Sequence, residues 1–163
     1  MFTLGRAAAR TLLAERLDLA PAEVPLHVAD DGGVDVVGAA MKVSISHSGG
    51  HAVAAVAERV VGIDLERIAP RHPRLPGFLL HPDEYPVFEA LPLDRARALM
   101  LYWTLKEATL KALRTGFRRS PKEIRLSVDL AAETGLAHIV EEAPMHLRFT
   151  ERGSYYLAVA FAQ

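Results

Sequence analysis

The stretch Val61-Gly62-Ile63-Asp64-Leu65-Glu66 alternates between aliphatic side chains and residues of other kinds. This alternation predicts a strand with its aliphatic side chains in the core and with Asp64 and Glu66 together on the other face. For an isolated acid pair, a solvated strand face is the simpler interpretation. Gly62 favours a site instead, because a residue without a side chain lets a bulky ligand approach the backbone.

A second stretch further along the chain contains Trp103-Thr104-Leu105-Lys106-Glu107-Ala108-Thr109-Leu110-Lys111. It predicts a helix with Glu107 and Lys111 on one face, since residues at positions i and i+4 are neighbours on a helix. Taken alone, such a pair is an ordinary surface contact worth about 0.3–0.5 kcal/mol. The apolar neighbours indicate a largely buried helix, however, and a buried ion pair is costly without a further purpose. Lys106 is expected to point elsewhere and to serve solubility or partner contact.

Together the two stretches supply the carboxylates of Asp64, Glu66 and Glu107. Acids gathered at one point repel each other unless a cation lies among them. Hard oxygen ligands that leave room for phosphate oxygens are typical of a Mg²⁺ site. The combination of the two stretches therefore suggests Mg²⁺ at this point.

The segment Ser44-Ile45-Ser46-His47-Ser48-Gly49-Gly50 precedes both stretches. Ser46, His47 and the glycine backbone offer several hydrogen-bond donors with little bulk, an arrangement that commonly holds a phosphate. A lone histidine after a strand is more often a structural group, so the segment alone is a weak signal. A serine hydrolase is a poorer interpretation, because adjacent Ser and His side chains point to opposite faces of a strand and no G-x-S-x-G elbow is present.

The whole chain has 163 residues, half of them hydrophobic, with a formal net charge of −1 and no cysteine. This length suits one compact domain and is short for a pair of them. The composition excludes intrinsic disorder, and the lack of a basic field argues against a nucleic-acid partner. Without cysteine there is neither a disulfide framework nor a thiolate metal site. Because the amino terminus lacks a long apolar run, a cytoplasmic protein without membrane association is expected.

Local patterns predict long helices separated and followed by antiparallel strands. The first helix covers residues 3–17, with an inward face formed by Leu4, Ala8, Leu12 and Leu13. The next long helix begins after an N-cap at Asp94 and runs to about Thr115, and Gly116 fits its C′ position. Residues 69–92 hold six of the ten prolines and are predicted to form a loop-rich excursion, suited to a lid or a docking surface.

Residues 61–66 and 103–111 resemble the two signatures of the 4′-phosphopantetheinyl transferase superfamily. These signatures have the form (V/I)-G-(I/V)-D-x-E and W-(S/T/C)-x-K-E-(A/S)-x-x-K, and the chain matches both in the same order. Residues 44–49 are similar to the S-x-S-H-S segment of the larger, surfactin-synthetase-activating type. The resemblance extends over nearly the whole chain.

This resemblance implies an α+β fold. The family fold has two similar halves related by a pseudo-twofold axis, each an antiparallel sheet packed on a long helix, with the active site between them. We therefore expect a single domain over residues 1–163, with a shortened first half at 1–57 and a second half at 58–163.

The resemblance also implies an activity, the Mg²⁺-dependent transfer of the phosphopantetheine arm of coenzyme A to a serine of an acyl or peptidyl carrier protein. Adenosine 3′,5′-bisphosphate is released. By motif position, Asp64, Glu66 and Glu107 would bind the Mg²⁺ that bridges to the pyrophosphate. Glu107 is also the candidate that activates the serine, and Lys111 the candidate that stabilises charge near the scissile phosphate. Attack on an anionic pyrophosphate requires such charge neutralisation.

Coenzyme A would be held by Ser46 and His47, with His47 at its 3′-phosphate. The larger type has additional basic chain before its first long helix, whereas this sequence begins at that helix. It also has a G-K-P segment where this chain has residues 31–35 and 38–42, so Lys42 is expected to replace the missing lysine only in part. A shortened first half leaves apolar surface uncovered, which is consistent with a homodimer.

Three functions stay open at this point. The leading one is a phosphopantetheinyl transferase of the holo-[acyl-carrier-protein] synthase type, serving fatty acid, polyketide or nonribosomal peptide biosynthesis. The alternative is a non-catalytic module derived from the family that binds a carrier protein or coenzyme A. The third is a generic Mg²⁺-dependent phosphohydrolase, which would release phosphate from small pyrophosphates without any carrier.

Overall fold

The computed structural model describes residues 2–162 of the protein. Within them, antiparallel sheets and long helices form an α+β fold in which each sheet packs against one long helix. The helices are α1 (Phe2–Leu17), α2 (Leu75–Leu79), α3 (Tyr85–Glu89) and α4 (Arg95–Ala112). The strands are β1 (Leu26–Val28), β2 (Val34–Val36), β3 (Lys42–Ser48), β4 (His51–Ala57), β5 (Val61–Arg67), β6 (Ile124–Asp129), β7 (Thr134–Ile139), β8 (Met145–Arg152) and β9 (Tyr155–Phe161).

The first sheet has the strand order β1-β2-β3-β4 and packs against α1. Helix and sheet approach closely at Gly5, where a Cβ atom would lie 2.3 Å from Cγ2 of Ile45 in β3. The buried stripe of α1 contains Gly5, Ala9 and Leu13, which are successive i, i+4 neighbours. The prediction that Leu4 faces inward was wrong, because this stripe turns Leu4 outward and leaves it 57% exposed.

The second sheet has the order β5-β9-β8-β7-β6 and packs against α4. Strand β5 lies at the edge of this sheet, paired antiparallel with β9, and it also contacts α4 and β3 of the first sheet. Residues 61–65 are therefore all buried, including Asp64. The prediction that successive side chains of β5 point to opposite faces is correct, but protein covers both faces of the strand.

Serine hydroxyl groups of β3 join the sheets. Ser44 accepts a hydrogen bond from the Ile63 amide at 2.9 Å. Ser48, at the other end of the strand, accepts one from the Arg67 amide at 3.2 Å. Because residues at alternate positions share one face of a strand, the serines of β3 all point toward β5 and fix its position.

Helix α4 begins as the sequence predicts. The side chain of Asp94 accepts a hydrogen bond from the Arg97 amide at 3.0 Å, which satisfies one of the free amides of the first turn. The helix is buried over most of its circumference, since it lies between the second sheet and the segment that contains α2 and α3.

The end of α4 differs from the prediction that Gly116 occupies C′. The residue in the left-handed conformation at C′ is Arg114, with a φ of 56°. The Thr115 amide donates to the Leu110 carbonyl at 3.2 Å, as in a Schellman motif. A left-handed residue other than glycine is strained by roughly 1–2 kcal/mol. The side chain of Arg114 forms ion pairs with Asp31 and Asp35, described below.

The proline-rich segment at residues 69–92 packs into the hydrophobic core that α4 forms with the second sheet. Leu79, Leu80 and Phe88 are buried against residues of α4. Lys106 of α4 is completely buried and points into this segment, where its ammonium group lies 2.5 Å from a carboxylate oxygen of Glu84. The prediction that Lys106 serves solubility or partner contact was wrong, because its side chain is enclosed by the segment.

Candidate active site

The crossing of β5 and α4 brings the residues of the two sequence signatures together. At this crossing, a Cβ atom on Gly62 would lie 2.0 Å from the Ala108 carbonyl oxygen and 2.4 Å from the Ala112 nitrogen. The expectation that Gly62 makes room for a ligand was wrong, because the space is occupied by the backbone of α4. The close approach places Glu107 and Lys111 beside the carboxylates of β5.

Asp64 lies at the centre of the site. Its side chain is almost completely buried, with 2% of the residue exposed. The Oδ1 atom accepts hydrogen bonds from Lys111 Nζ at 2.6 Å and from Ser46 Oγ at 2.7 Å. The Oδ2 atom is buried and has no hydrogen-bond partner among residues 2–162. A buried carboxylate oxygen without a donor is costly, which marks this atom as the place for a further ligand.

Glu66 lies one strand period further along β5. Its Oε1 atom accepts a hydrogen bond from the Trp103 indole at 3.1 Å, and Oε2 accepts one from Arg71 at 3.0 Å and one from Ser48 at 3.3 Å. Burial, followed by repulsion from Asp64, raises the pKa of the Glu66 carboxyl above its ordinary value. Arg71 gave no signal in the sequence, because it belongs to the aperiodic segment after β5.

Glu107 faces the acids of β5 from the helix. Burial raises the pKa of Glu107 to about 7, repulsion from Asp64 and Glu66 contributes in the same direction, and Lys111 opposes the increase. A carboxylate with a pKa near neutral pH can both accept and release a proton under physiological conditions. The predicted acids thus lie close enough to interact.

The side chains at this point have the donor chemistry of a Mg²⁺ site but not its arrangement. No group of three or more His, Cys, Asp or Glu side chains within residues 2–162 is arranged so that it could hold a metal ion as it stands. Lys111 and Arg71 instead pair with Asp64 and Glu66. The donor chemistry does fit, since Mg²⁺ prefers hard carboxylate oxygens and the Oδ2 atom of Asp64 has no partner in the described part of the chain.

A cavity of about 320 Å³ opens beside Lys111, between the first sheet and the end of α4. The residues of its wall include Arg6, His47, Lys111 and Arg114. His47 is exposed and lines the cavity, whereas Ser46 is directed at Asp64. Lys42 lines a neighbouring cavity of about 230 Å³. Of the residues predicted to hold coenzyme A, only His47 is among those that line the larger cavity.

Arg114, in the wall of this cavity, forms ion pairs with Asp31 and Asp35 that the sequence did not predict, and we call this contact the clasp. Its guanidinium group forms a bidentate pair with Asp31 at 2.7 and 2.8 Å and also pairs with Asp35. Hydrogen bonds from Arg114 lower the pKa of the Asp31 carboxyl to about 2 and lower the pKa of Asp35. No local pattern in the sequence indicates this contact, because Arg114 is remote from Asp31 and Asp35 along the chain.

A model of the 4′-phosphopantetheinyl transferase superfamily matches residues 60–160, which contain β5, α4 and the strands that follow. The chain belongs to this superfamily. The resemblance noted from the sequence is thereby confirmed. The likeness to the surfactin-synthetase-activating type and the division into halves at residues 57 and 58 stay predictions.

Similarity to a known enzyme supports the same family assignment. The 4′-phosphopantetheinyl transferase HetI of Nostoc sp. is 32% identical over 127 residues, which cover 72% of this chain and 53% of HetI. The chain thus spans about half the length of this relative.

Solved structures confirm the α+β transferase-like fold. The holo-[acyl-carrier-protein] synthase of Neisseria meningitidis is similar with a TM-score of 0.54 and 19% identity, over 63% of this chain and 96% of that one. The synthase of Bacillus anthracis, in complex with coenzyme A (3′,5′-ADP), is similar with a TM-score of 0.50 and 21% identity, over 62% and 92% of the chains. Within residues 2–162, no helix combines the length and apolar character needed to cross a membrane.

Proposed function

We propose that this member of the superfamily transfers the 4′-phosphopantetheine arm of coenzyme A to a serine of an acyl or peptidyl carrier protein, in a Mg²⁺-dependent reaction. The observation that carries the proposal is the junction of β5 and α4, where Asp64, Glu107 and Lys111 meet beside a cavity between the first sheet and α4. The complex of the Bacillus anthracis synthase with coenzyme A supports this choice of co-substrate. The pathway served and a cytoplasmic location stay predictions.

Asp64, Glu66 and Glu107 are the residues that would hold the metal. When bound, Mg²⁺ supplies positive charge that neutralises the pyrophosphate and the leaving group. The unpartnered Oδ2 atom of Asp64 is the side-chain atom best prepared for this role, because it is already buried and makes no other hydrogen bond within the described residues.

In the proposed reaction, Glu107 accepts the proton of the carrier serine. The serine oxygen forms a bond to the phosphorus that bears the pantetheine arm, and the bond from that phosphorus to the bridging oxygen breaks. Adenosine 3′,5′-bisphosphate leaves with the bond electrons. Glu107 can accept this proton only as the ionised carboxylate, which Lys111 favours and which bound Mg²⁺ would favour further.

Lys111 stabilises negative charge on the phosphoryl group in this proposal. Its ammonium group lies 2.6 Å from Asp64 Oδ1, and its side chain is 29% exposed and lines the cavity. One carboxylate thus holds the lysine in place while its remaining donors stay available to phosphate oxygens. His47, also in the cavity wall, is the proposed contact of the 3′-phosphate.

The test is incubation of a purified apo carrier protein with the chain, coenzyme A and Mg²⁺, followed by intact-protein mass spectrometry. The expected result is a mass increase equal to the phosphopantetheine arm, which is lost without Mg²⁺. Asp64→Ala and Glu107→Ala are expected to abolish the transfer while circular dichroism stays unchanged. Near-normal turnover in either variant at saturating Mg²⁺ would contradict the assigned roles, and phosphate release without a carrier would indicate a phosphohydrolase.

One observation, the clasp of Arg114, supports the alternative of a non-catalytic module that binds a carrier protein or coenzyme A. Asp31 and Asp35 together neutralise Arg114, so this cation in the cavity wall offers little attraction to a phosphate. In that case, the mass of the carrier stays unchanged although the chain binds it or binds coenzyme A. Isothermal titration with each ligand identifies this outcome.

A further inference from the structure

We infer that Ser46 is a positioning residue that orients the Asp64 carboxylate and thereby prepares its Oδ2 atom to bind the metal ion. The inference rests on the metal site of the proposed function. Ser46 thus acts on a proposed metal ligand, whereas the sequence suggested that it contacts coenzyme A.

The contact between these residues is buried and short. Ser46 is 6% exposed, and its hydroxyl group donates to Asp64 Oδ1 at 2.7 Å. A hydroxyl-to-carboxylate hydrogen bond is charge-assisted and stronger than a bond between neutral groups. The Ser46 side chain therefore points into the protein, and its hydroxyl proton is already donated to Asp64 in the absence of a ligand.

The two oxygens of Asp64 have different surroundings. Oδ1 accepts from both Ser46 and Lys111, whereas Oδ2 is buried without a partner within residues 2–162. A carboxylate that can rotate would exchange its oxygens and share the donors between them. Two donors that approach from different elements, β3 and α4, hold Oδ1 and so keep Oδ2 free for a cation.

The rigidity of β3 makes Ser46 suited to this task. The strand is paired with β4 along its whole length, with Ser46 opposite Val53. On either side, Ser44 and Ser48 bind backbone amides of β5 and fix the register between the strands. Lys111 alone would be a weaker guide, because a long ammonium side chain is flexible and also has to respond to phosphate.

Ser44 offers a matched control for a purely structural role. It lies on the same face of the same strand, is also buried, and makes one hydrogen bond of 2.9 Å to β5, but to the Ile63 amide and not to a carboxylate. Removal of the Ser44 hydroxyl disturbs the junction of the sheets to a similar degree. Only removal of the Ser46 hydroxyl releases Asp64.

The experiment is a titration of the chain with Mn²⁺, as a paramagnetic substitute for Mg²⁺, read by electron paramagnetic resonance without coenzyme A. Ser46→Ala is expected to weaken Mn²⁺ binding about tenfold or more, as is usual when a residue that orients a metal ligand is removed. Ser44→Ala is expected to stay within twofold of the wild type. Ser46→Thr, which keeps the hydroxyl, is expected to restore most of the affinity.

Asp64→Ala separates failure of this inference from failure of the proposed site. If Asp64→Ala abolishes Mn²⁺ binding but Ser46→Ala does not weaken it, or Ser44→Ala weakens it equally, the role of Ser46 is overturned and the metal site stands. If Asp64→Ala leaves the affinity unchanged, or the wild type binds no Mn²⁺, both are overturned. Should Ser46→Ala fail to fold, Ser46→Cys, which keeps the shape with a weaker donor, is measured with the same expectation of loss.

Discussion

The ammonium group of Lys106 lies 2.5 Å from Oε2 of Glu84, and both side chains are buried. Lys106 also donates to the Leu79 carbonyl at 2.9 Å and to the Pro121 carbonyl at 3.1 Å, so each of its protons has an acceptor. The side chain thus connects α4 to the segment before it and to the chain that leads into β6. This lysine of the second signature is structural, although it adjoins the candidate catalytic Glu107.

Lys106→Ala is expected to destabilise the protein by about 3–5 kcal/mol, because it leaves the buried Glu84 charge without its partner. Urea denaturation measures this change. Lys122→Ala, which removes an exposed lysine, serves as the control and is expected to have little effect. A loss of stability below about 1 kcal/mol for Lys106→Ala would contradict a buried, fully bonded lysine.

Gly62→Ala is expected to destabilise the protein by roughly 2–3 kcal/mol or to prevent folding, because the added methyl group overlaps the backbone of α4. The atoms it would meet belong to Ala108 and Ala112 and cannot move aside as a flexible side chain can. Thermal and urea denaturation provide the measurement.

Gly77→Ala is the matched control for this glycine. Gly77 lies inside α2, is exposed, and has open space where a Cβ atom would be. Alanine favours a helix more than glycine does, so this variant is expected to be as stable as the wild type or slightly more stable. Equal destabilisation by both substitutions would argue against a specific contact at residue 62.

The sequence predicted the elements and the composition of the site better than the contacts within it. Alternation placed Asp64 on a strand, and helical spacing placed Glu107 and Lys111 on one face, because periodicity reports the direction of a side chain. Periodicity does not predict which residue a side chain contacts in the folded protein. The burial of Lys106 depends on Glu84, which lies in an aperiodic segment, and the clasp of Arg114 depends on a hairpin remote in the chain.

Removal of the Glu107 charge is expected to change how stability depends on pH in the metal-free protein. Burial raises the pKa of Glu107 from 4.5 to about 7. Between these values the folded chain holds a proton that the unfolded chain has released, so the free energy of unfolding decreases as pH rises through this window. The decrease reaches at most about 3 kcal/mol at 1.36 kcal/mol per pKa unit.

Urea denaturation in EDTA at pH 5, 6, 7 and 8 tests this expectation for Glu107. Glu107→Gln is expected to reduce the decrease and to be more stable than the wild type at pH 8, because the amide carries no charge to bury. Glu58→Gln changes an exposed acid and is expected to leave the pH dependence as it is. Parallel stability curves for wild type and Glu107→Gln would contradict the raised pKa.

Loss of the Arg114 clasp is expected to loosen the hairpin of β1 and β2. Arg114→Met removes the ion pairs to Asp31 and Asp35, a network worth about 1 kcal/mol at partly exposed positions. Hydrogen exchange of the β1 and β2 amides should accelerate roughly fivefold, while β6 to β9 are unaffected. Arg95→Met is the control, since it removes an exposed ion pair, to Glu89, that lies outside this hairpin. Unchanged exchange in β1 and β2 would show that the clasp does not hold the hairpin.

His47→Ala is expected to weaken coenzyme A binding roughly tenfold or more, the scale of one lost charge-assisted hydrogen bond, if His47 contacts the 3′-phosphate as proposed. Dephospho-coenzyme A lacks that phosphate, so its affinity should change much less. Isothermal titration of both ligands in Mg²⁺ measures the difference. Lys42→Ala is the comparison, because Lys42 lines the neighbouring cavity and should affect both ligands less than His47 does. An equal loss of affinity for both ligands in His47→Ala would assign His47 a structural role, and the 3′-phosphate would then have to be held by another cation of the cavity wall, such as Arg6.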